Sequence, residues 1–303
     1  MQIDCPTFLI FSFAILFLNR LFHCTRLNQD LLLDQTDFTI VLNRKPNLVN
    51  LYWTNAITRK TLFSIKSFLY QTKIIWTIQL WIDSRTVYTN NTENQLNSLN
   101  VTVKPFIFNN EIKNTPFEIY NQSYPWGNSK TTSVQSDWIR LILLYKYGGL
   151  YFDLDTLFLK PPEDMIVKYQ QFVCPWGTGS LKNTNNNILY FKRDFIEKLC
   201  EAAIREKAAA NFFGLSFLSY SNLKKYRVNV LSLCEVDACW GCPNISCNCH
   251  FIFEKQTNTH KSLFNFIAEH SYAFHWHNGY NIQIEKDSLF TELEQKYNQK
   301  FKL

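Results

Sequence analysis

The feature that most constrains the fold of this chain is a helix-forming stretch followed by two glycines and a short apolar strand. A helix is predicted to begin at Ser136, a good N-cap residue, with Asp137 in the first turn, where a negative charge suits the helix dipole. Gly148 and Gly149 supply the C-terminal stop. Residues 150–154 then form a short strand. A helix, a glycine break and a strand that ends in carboxylates form a specific arrangement.

The carboxylates at the end of this strand belong to Asp153 and Asp155. In an extended chain, residues two apart point to the same side, so both carboxylates are expected to face solvent while Leu154 points into the protein. Two hard oxygen ligands a few ångströms apart suit Mg²⁺ or Mn²⁺. Such an ion can neutralise a diphosphate as it departs. The pair is therefore a candidate catalytic and metal-binding site for a nucleotide-sugar.

Two charged residues on the preceding helix belong to the same candidate site. Asp137 and Arg140 are three residues apart and so share one face of the helix. Arg140 could pair with Asp137, pair with Asp153 or contact a phosphate, and Asp137 could accept a sugar or ribose hydroxyl. Paired aspartates after a strand are often only a solvated turn, and an Asp/Arg pair is often a surface ion pair. The apolar strand and the Asp-x-x-Arg helix together favour a functional site.

The N-terminal part of the chain alternates strand and helix patterns. Residues 47–54 have the composition of a strand, residues 59–71 carry apolar side chains at helical spacing, and residues 74–82 are a nearly continuous apolar run. A run of β-branched and aromatic residues like the third segment is typical of a strand buried on both faces of a parallel sheet. The three segments therefore predict a βαβ unit.

Five further segments complete the predicted secondary structure. Residues 83–100 are polar and rich in Asn and Thr, which predicts a surface loop. Residues 101–108 predict a strand that its proline places at an edge or a bend. Residues 187–191 predict another strand, and residues 195–210 and 288–300 predict helices. Strands that alternate with helices in this way indicate the α/β class.

The charge distribution argues against one class of function. The chain has 303 residues and a net charge of +6, from 31 Lys and Arg and 25 Asp and Glu. Proteins that bind nucleic acid usually gather their basic residues on one face. Here Lys and Arg are scattered among apolar stretches, so a nucleic-acid partner is not expected.

The N-terminal 26 residues differ from the rest of the chain. Residues 5–18 are nearly all apolar, a run shorter than the roughly 20 residues that span a membrane. We expect residues 1–26 to be either a signal peptide or a short membrane anchor. Residues 27–46 are then a short stem, and residues 47–303 form a single domain. This organisation predicts a protein of the secretory pathway, held at the membrane if the leader is not cleaved.

Glycosylation sequons also point to the lumen of the secretory pathway. Each consists of an asparagine followed two residues later by Ser or Thr. Four occur, at Asn90, Asn100, Asn121 and Asn244.

The cysteines form a cluster near the C-terminal end. Five of the nine fall within residues 234–249, and an oxidising lumen favours a loop pinned by disulfides. Because five is an odd number, one of them must pair outside the cluster, with Cys174 or Cys200 as the candidates. Free thiols and a zinc knuckle are the alternatives, although the spacings match no standard zinc module. The zinc ligands would come from Cys239, Cys242, Cys247, Cys249 and His250.

The central segment, SDWIRLILLYKYGGLYFDLDTLFLKP, resembles the signature of the sugar-binding DXD glycosyltransferases of family 32. Within that family it is most similar to the animal α-1,4-galactosyltransferase and α-1,4-N-acetylglucosaminyltransferase group, the globotriaosylceramide synthase-like enzymes. The likeness covers most of the chain after residue 47. It includes residues 114–117, 187–191 and 272–278, which resemble further elements of that group.

This resemblance implies a GT-A-type fold, in which a Rossmann-like mixed sheet is flanked by helices within a single catalytic domain. It implies a metal-dependent, retaining transferase that uses Mn²⁺ (or Mg²⁺) and a UDP-sugar donor. The transferred group would be a hexose or N-acetylhexosamine, and the acceptor a glycolipid or glycoprotein that receives it in an α-1,4 linkage. Such an enzyme would be anchored in the membrane and face the Golgi lumen.

By position, the resemblance also assigns roles to individual residues. Asp155 would be the direct metal ligand, Asp153 a partner to the metal or the ribose, and His275 would lie near the metal and the diphosphate. Trp53 would stack on the uracil. The expected nucleotide-sugar-binding residues are Trp53, Asp137, Arg140 and Asn187, and the expected metal ligands are Asp153, Asp155 and His275. The chain departs from the family in two places: His277 stands where the family has Trp, and no Gly follows Asn187.

Two alternatives are weighed against the transferase. In a haloacid-dehalogenase-type phosphatase, Asp153 would attack phosphorus and Asp155 would be the acid/base. Such enzymes also need a late acidic pair, and none of the usual form occurs after Asp164. The second alternative is a catalytically degenerate transferase that binds sugar or serves as a partner subunit. Four charges kept together at Asp137, Arg140, Asp153 and Asp155 argue against such decay.

Overall fold

Seven strands of the described chain form one mixed sheet, in the order β3-β2-β1-β4-β7-β6-β8. A computed structural model describes residues 47–121, 123–125, 132–175, 184–205, 223, 225–238, 248–277 and 281–303. The strands of the sheet are β1 (Leu48–Trp53), β2 (Thr77–Ile82), β3 (Val101–Pro105), β4 (Leu150–Phe152), β6 (Phe172–Pro175), β7 (Thr184–Tyr190) and β8 (Asn229–Val230). Strands β5 (Thr156–Phe158) and β9 (Ala273–His275) pair separately in an antiparallel ribbon.

Helices cover both faces of this sheet. They are α1 (Arg59–Gln71), α2 (Asn90–Ser98), α3 (Phe108–Glu111), α4 (Thr132–Tyr147), α5 (Pro162–Tyr169), α6 (Arg193–Arg205), α7 (Leu233–Val236), α8 (Asn258–His270) and α9 (Leu289–Phe301). One buried apolar cluster joins α4 and α6 to one face of the sheet, and a second joins α1 and α5 to the other. The predicted class, an α/β mixed sheet flanked by helices, is confirmed.

The predicted βαβ unit is present as β1, α1 and β2. Strands β1 and β2 are parallel, with Val49 opposite Ile78, and β4 runs parallel to β1 on the other side. Helix α1 has the predicted bounds, because its apolar residues recur at helical spacing and are buried against the sheet. Strand β2 is shorter than predicted. It begins at Thr77, and Ile75 before it is 90% exposed.

The predicted surface loop at residues 83–100 is wrong in part, because α2 lies within it. Thr89 caps this helix by accepting a hydrogen bond from the backbone N–H of Thr92 at 3.2 Å. Leu96 anchors the helix to the core and is fully buried. A cap and one buried leucine outweigh the low helix propensity of the asparagines here.

Helix α4 begins four residues before the predicted start, so Ser136 is not its N-cap and Asp137 is not in its first turn. Instead, the Ser136 hydroxyl donates to the carbonyl oxygen of Ser133 and accepts a hydrogen bond from Arg140 at 3.0 Å. Ser136 therefore holds Arg140 in place from inside the helix.

The predicted glycine stop after α4 is confirmed. Gly148 and Gly149 both have positive φ, 69° and 81°, a region that glycine reaches without steric cost. A Cβ on Gly149 would lie 2.2 Å from the carbonyl oxygen of Leu48 on β1. The two glycines thus turn the chain sharply and let β4 enter the sheet beside β1.

Other predicted elements are largely confirmed. Strand β3 lies at an edge of the sheet, as its proline predicts. Strand β7 begins before the predicted residues 187–191 and pairs antiparallel with β4. Helix α9 follows Ser288, which accepts a hydrogen bond from Thr291 and so caps it. The described part of α6 ends at Arg205, and the remainder of the predicted helix lies outside the described residues.

The cysteine prediction is wrong at two positions. Cys174 and Cys200 are buried free thiols, so neither is the outside partner of the C-terminal cluster. Cys174 packs against the carbonyl of Ile188 within the sheet, and its burial raises the pKa of the thiol well above the usual value. Cys239, Cys242 and Cys247 lie outside the described residues.

Two further expectations concern the surface and the N-terminal end. The sequon asparagines Asn90, Asn100 and Asn121 are exposed, and Asn244 lies outside the described residues. The predicted leader, residues 1–26, and stem, residues 27–46, also lie outside them. Within the part of the chain that the structure describes, no helix has the length and apolar character needed to cross a membrane.

Candidate metal and nucleotide-sugar site

The two aspartates lie in a tight turn just after β4. The backbone N–H of Asp153 donates to the carbonyl of Asn187 on the neighbouring β7, at 2.7 Å. Leu154 is buried as predicted, but the chain turns there instead of continuing as a strand. The carbonyl of Asp155 accepts from the backbone N–H of Trp276 at 3.0 Å. This turn sends the chain from the main sheet into the β5–β9 ribbon.

The ribbon explains how His275 reaches the aspartates across the sequence. In its register Thr156 lies opposite His275, so the histidine is next to the turn that carries Asp155. Nε2 of His275 lies 3.0 Å from Oδ1 of Asp155. One ligand atom each from Asp153, Asp155 and His275 can be chosen so that all three lie within 4.8 Å of one another. The three predicted metal ligands are therefore brought together.

The residues present fit a divalent cation. Two carboxylates and one imidazole form a mixed oxygen and nitrogen donor set, and both kinds of ligand bind divalent metal ions. Burial strengthens this argument, because carboxylates out of water need a positive partner. The side chains of Asp155 and His275 are each 7% exposed. Mg²⁺ prefers oxygen alone and fits this set less well.

The expectation that both carboxylates face solvent is wrong for Asp155. Asp155 is buried under the ribbon and paired with His275, whereas the side chain of Asp153 is 26% exposed. The turn at Leu154 is the physical reason, because it breaks the strand alternation that would have put both side chains on one face. Of the two, Asp153 is the more open to a ligand arriving from solvent.

Arg140 links α4 to the aspartates. Its Nη2 lies 3.3 Å from Oδ1 of both Asp137 and Asp153, so the two pairings predicted as alternatives both occur. The guanidinium also lies 4.9 Å from the ring centre of Tyr151, an arrangement that favours a cation. Burial disfavours the charge, but Asp153, Tyr151 and Asp137 outweigh it and raise the pKa of Arg140 further. Arg140 is thus a fixed positive charge beside the candidate metal site.

The crowded charges shift the ionisation of the cluster. Burial raises the pKa of Asp153, Arg140 lowers it and Asp155 raises it, with a resulting pKa of about 6. Burial lowers the pKa of His275, but Asp155 and Asp237 outweigh burial and raise that pKa well above the usual range. A cation that binds here would therefore compete with protons for Asp153 and His275.

Asp237 is a member of this charge cluster that the sequence did not reveal. Its side chain is only 1% exposed, and Oδ1 lies 2.8 Å from Nε2 of His277. Its position is set by contacts between α7 and the residues just before β9. The backbone N–H of Tyr272 donates to the backbone carbonyl of Glu235 at 2.7 Å, and the Ser271 hydroxyl donates to the backbone carbonyl of Cys234 at 2.5 Å. No motif surrounds Asp237 in the sequence, so only the tertiary structure could identify it.

The remaining predicted donor-binding residues lie on the two neighbouring strands. Asn187 is fully buried on β7, and its carbonyl holds the backbone of Asp153. Trp53 ends β1, is half-buried, and donates from its indole N–H to the carbonyl of Ala56 at 2.9 Å. Because side chains alternate along a strand, Trp53 and its neighbour Tyr52 face opposite sides of the sheet.

A cavity of about 570 Å³ opens at the carboxyl ends of β1, β2 and β3. A volume of this size is typical of small-molecule sites, and ligands of open α/β sheets bind outside the carboxyl ends of their strands. Its lining residues include Tyr52, Asp83, Arg85, Gln135 and Ile139, and Trp53 is not among them.

The polar groups of this cavity form one network. Tyr52 donates to Asp83 at 2.8 Å, and Arg85 bonds both Asp83 and Gln135, the latter at 2.7 Å. Gln135 is on α4, the helix that also carries Asp137 and Arg140. One helix thus contributes both to the cavity and to the charge cluster at the aspartates.

Comparison with protein families supports a glycosyltransferase of the DXD type. Residues 53–173 match the family described as "Glycosyltransferase sugar-binding region containing DXD motif". The matched range, less than half of the chain, contains the charged residues of α4 and both aspartates and ends before His275. No curated protein has a significant sequence match to this chain.

Several solved glycosyltransferase structures resemble the chain. PaToxG glycosyltransferase is 18% identical, with 63% of this chain and 72% of that chain covered and a TM-score of 0.40. Mouse xyloside xylosyltransferase 1 in its apo form is 9% identical, with coverages of 78% and 98% and a TM-score of 0.44. The glycosyltransferase GlyE of Streptococcus pneumoniae is 10% identical, with coverages of 84% and 60% and a TM-score of 0.45. Likenesses this distant give no information on the donor or acceptor of this chain.

Proposed function

We propose that the protein is a metal-dependent, retaining glycosyltransferase that moves a hexose or N-acetylhexosamine from a UDP-sugar to a glycan acceptor. The observation that carries this proposal is the convergence of Asp153, Asp155 and His275 into one cluster, with Arg140 fixed beside it. A site that gathers two carboxylates, an imidazole and a buried guanidinium suits a cation and a diphosphate.

Asp155 and His275 would hold the ion from the buried side, and Asp153 would hold it from the open side. A bound divalent cation would supply positive charge to the departing nucleoside diphosphate. The 26% exposure of the Asp153 side chain supports this division, since a donor must arrive from solvent. Asp153 must also give up a proton to act as a ligand, which its pKa of about 6 permits at neutral pH.

Arg140 and Asp137 would position the sugar and phosphate groups of the donor. Arg140 is 4% exposed and held by Ser136, Asp137 and Asp153, so its orientation is set before the donor binds. Preorganised charge of this kind stabilises a developing negative charge without a reorganisation cost. Asp137 is also buried beside it and would accept a hydroxyl of the donor.

We place the nucleoside of the donor in the cavity at the ends of β1, β2 and β3. Asp83, Arg85 and Gln135 of its polar network would bind a ribose or a base, and the ring of Tyr52 and the side chain of Ile139 would form apolar walls. This position keeps the diphosphate close to α4. Trp53 as the stacking partner of the uracil remains a prediction from the family resemblance.

The finer features of the proposal follow from the same resemblance. They are an α-1,4 linkage, a glycolipid or glycoprotein acceptor, Mn²⁺ as the metal, and an enzyme anchored in the Golgi membrane with its catalytic domain in the lumen. The exposed sequon asparagines Asn90, Asn100 and Asn121 are compatible with a lumenal surface.

A donor screen tests this proposal. The purified protein is incubated with UDP-galactose, UDP-N-acetylglucosamine, UDP-N-acetylgalactosamine and UDP-glucose, with Mn²⁺ or with EDTA, and released UDP is measured. We expect one donor to be hydrolysed slowly in the presence of Mn²⁺ and not in EDTA. The Asp155→Asn variant should lose at least about a hundredfold in rate, as when a charge-stabilising group is removed.

Glu197→Gln is the matched control, because Glu197 is an exposed carboxylate on α6, a helix that carries none of the proposed site residues. It should retain the wild-type rate. Release of no UDP from any donor would favour a degenerate, sugar-binding protein. Metal-independent release, or a full rate in Asp155→Asn, would contradict the proposed mechanism.

A further inference from the structure

Asp237 is a buried carboxylate between two imidazoles. Its Oδ1 lies 2.8 Å from Nε2 of His277, and its Oδ2 lies 3.8 Å from Nδ1 of His275. The first distance is a hydrogen bond, but the second is too long for one. The two imidazole rings are 4.0 Å apart between centres. Three groups that ligate metals thus surround one small volume next to the aspartate turn.

The Nδ1 atom of His275 is left without a hydrogen-bond partner among the described residues, although it is fully buried. A buried polar nitrogen without a partner is unfavourable, because it has lost its hydrogen bonds to water. The other nitrogen of the ring, Nε2, already faces Asp155 at 3.0 Å. Nδ1 of His275 instead faces Asp237, at 3.8 Å from Oδ2. A cation between these two atoms could be bound by both of them.

The backbone at His277 supports a functional arrangement. Its φ is +47°, in the left-handed region that non-glycine residues seldom occupy. Such a conformation is unfavourable for a residue with a Cβ, and residues of this kind cluster at functional sites. Here the chain leaves β9 in this conformation, and the His277 ring lies beside that of His275.

We propose that Asp237, His275 and His277 form a second cation site, for a transition-metal ion of the Zn²⁺ type. Ligand atoms chosen from the three residues all lie within 4.8 Å of one another. Zn²⁺ binds two His nitrogens and a carboxylate oxygen at about 2.0–2.2 Å, so ligands of one ion lie within roughly 4.2 Å of each other. The 3.8 Å gap between His275 and Asp237 satisfies this limit. This donor set is richer in nitrogen than that of Asp153, Asp155 and His275.

Both sites use His275, and this has a consequence that rests on the function proposed above. A neutral imidazole has one nitrogen lone pair to give to a metal. If Nδ1 binds Zn²⁺, Nε2 carries the proton and donates a hydrogen bond to Asp155, so Nε2 cannot ligate the donor cation. Zn²⁺ at Asp237 and His277 therefore weakens Mn²⁺ binding at the aspartates, and by linkage Mn²⁺ weakens Zn²⁺ binding to the same degree.

Calorimetric titration of the full, metal-stripped chain with Zn²⁺ tests the site directly. We expect the His277→Ala variant to lose one zinc equivalent, or to bind it at least about tenfold more weakly than the wild type. Asp153→Asn is the matched control, because Asp153 belongs only to the aspartate site, and it should keep wild-type zinc binding. Unchanged zinc binding in His277→Ala overturns the proposal. That is the result expected if cysteines were the zinc ligands. Equal losses in the two variants also overturn it, since zinc would then occupy the aspartate site.

A second titration separates this inference from the proposed function. Mn²⁺ affinity is measured with and without saturating Zn²⁺. We expect Zn²⁺ to weaken Mn²⁺ binding by at least about fivefold in the wild type and to have no such effect in His277→Ala. Wild-type Mn²⁺ binding that ignores Zn²⁺ would overturn the sharing of His275. Zinc binding itself needs no donor sugar, so its loss in His277→Ala stands or fails independently of any transferase activity.

Discussion

Asp155 combines a structural and a chemical role in one side chain. The residue is buried, and its carboxylate lies 3.0 Å from Nε2 of His275. Its backbone carbonyl accepts a hydrogen bond from the backbone N–H of Trp276, just after the ribbon strand β9. A solvent-open carboxylate could be removed with little effect on folding, but a buried one leaves its partner uncompensated. The site residue with the clearest chemical role is therefore also part of the packed interior.

Replacing Asp155 should consequently destabilise the fold as well as abolish metal binding. We expect Asp155→Ala to lower the free energy of unfolding by about 3 kcal/mol, because His275 loses its charged partner. Asp155→Asn, which keeps the shape and one acceptor, should cost less than half of that. Urea unfolding of both variants gives the comparison. Equal stability of Asp155→Ala and the wild type would show that the His275 pair contributes nothing.

Asp83 provides a pH test away from the candidate metal ligands. Burial raises the pKa of this carboxyl, but hydrogen bonds from Arg85 and Tyr52 outweigh burial and hold the pKa below its usual value. A lowered pKa means that ionised Asp83 stabilises the fold above its unfolded pKa near 4. That stabilisation is lost as the pH falls through the folded pKa.

We therefore expect Asp83→Asn to lower the free energy of unfolding by about 1 kcal/mol at pH 7. The difference from the wild type should shrink as the pH falls below about 4, because the unfolded chain then binds a proton that the folded carboxyl binds only at lower pH. Unfolding by urea at a series of pH values measures both quantities. A difference that stays constant down to pH 2 would mean that the charge of Asp83 is irrelevant.

Single residues also show where sequence reasoning succeeds and fails. Asp153 and Arg140 could be predicted because a local pattern, the helix, the glycines and the strand, places them together. His275 needed the family resemblance, since 120 residues of chain separate it from Asp155. Asp237 could not be predicted, because only contacts between α7 and the start of β9 bring it to the site.

At the scale of elements, the break between α4 and β4 sets the position of the whole site. Gly148 and Gly149 both have positive φ, but a Cβ would meet another strand only at Gly149. Substitutions at the two glycines can therefore be compared, because both positions have positive φ and only one of them would place a Cβ against a neighbouring strand.

We expect Gly148→Ala to cost about 1–2 kcal/mol in unfolding free energy, the cost of left-handed φ for a residue with a Cβ. Gly149→Ala should cost clearly more, because its Cβ would lie 2.2 Å from the carbonyl of Leu48. Displacing β4 from β1 should also weaken binding at the aspartate turn. The measurement is chemical unfolding of both variants, and equal costs would mean that β1 yields freely at this contact.

Elements were predicted well where a periodic apolar pattern was long. They were predicted poorly where a capping residue determined whether a helix forms or where it begins. The bounds of α1 follow from its buried stripe, and the helix predicted over residues 288–300 is α9, which Ser288 caps. Helix α2 was missed because Thr89 and Leu96 outweigh a composition typical of loops. The start of α4 was misplaced because Ser136, a good cap residue, instead bonds Arg140 inside the helix.

At the scale of the described molecule, the sheet and the ribbon each position different parts of the site. The parallel strands β1 to β3 end at the cavity, β4 and β7 hold the turn of Asp153, and the β5–β9 ribbon brings His275 over Asp155. Alternating strand and helix patterns predicted the α/β class. The ribbon could not be predicted, because its strands are three residues each and far apart in sequence.

The central claim is that a divalent cation held by Asp153, Asp155 and His275 binds the diphosphate of a nucleotide. Calorimetric titration of the protein with UDP, in Mn²⁺ and in EDTA, tests it most directly. We predict that Mn²⁺ tightens UDP binding by at least about tenfold in the wild type, which corresponds to 1.4 kcal/mol. In Asp155→Asn this metal effect should disappear. UDP binding that is indifferent to Mn²⁺ in the wild type, or a full metal effect in the variant, would contradict the claim.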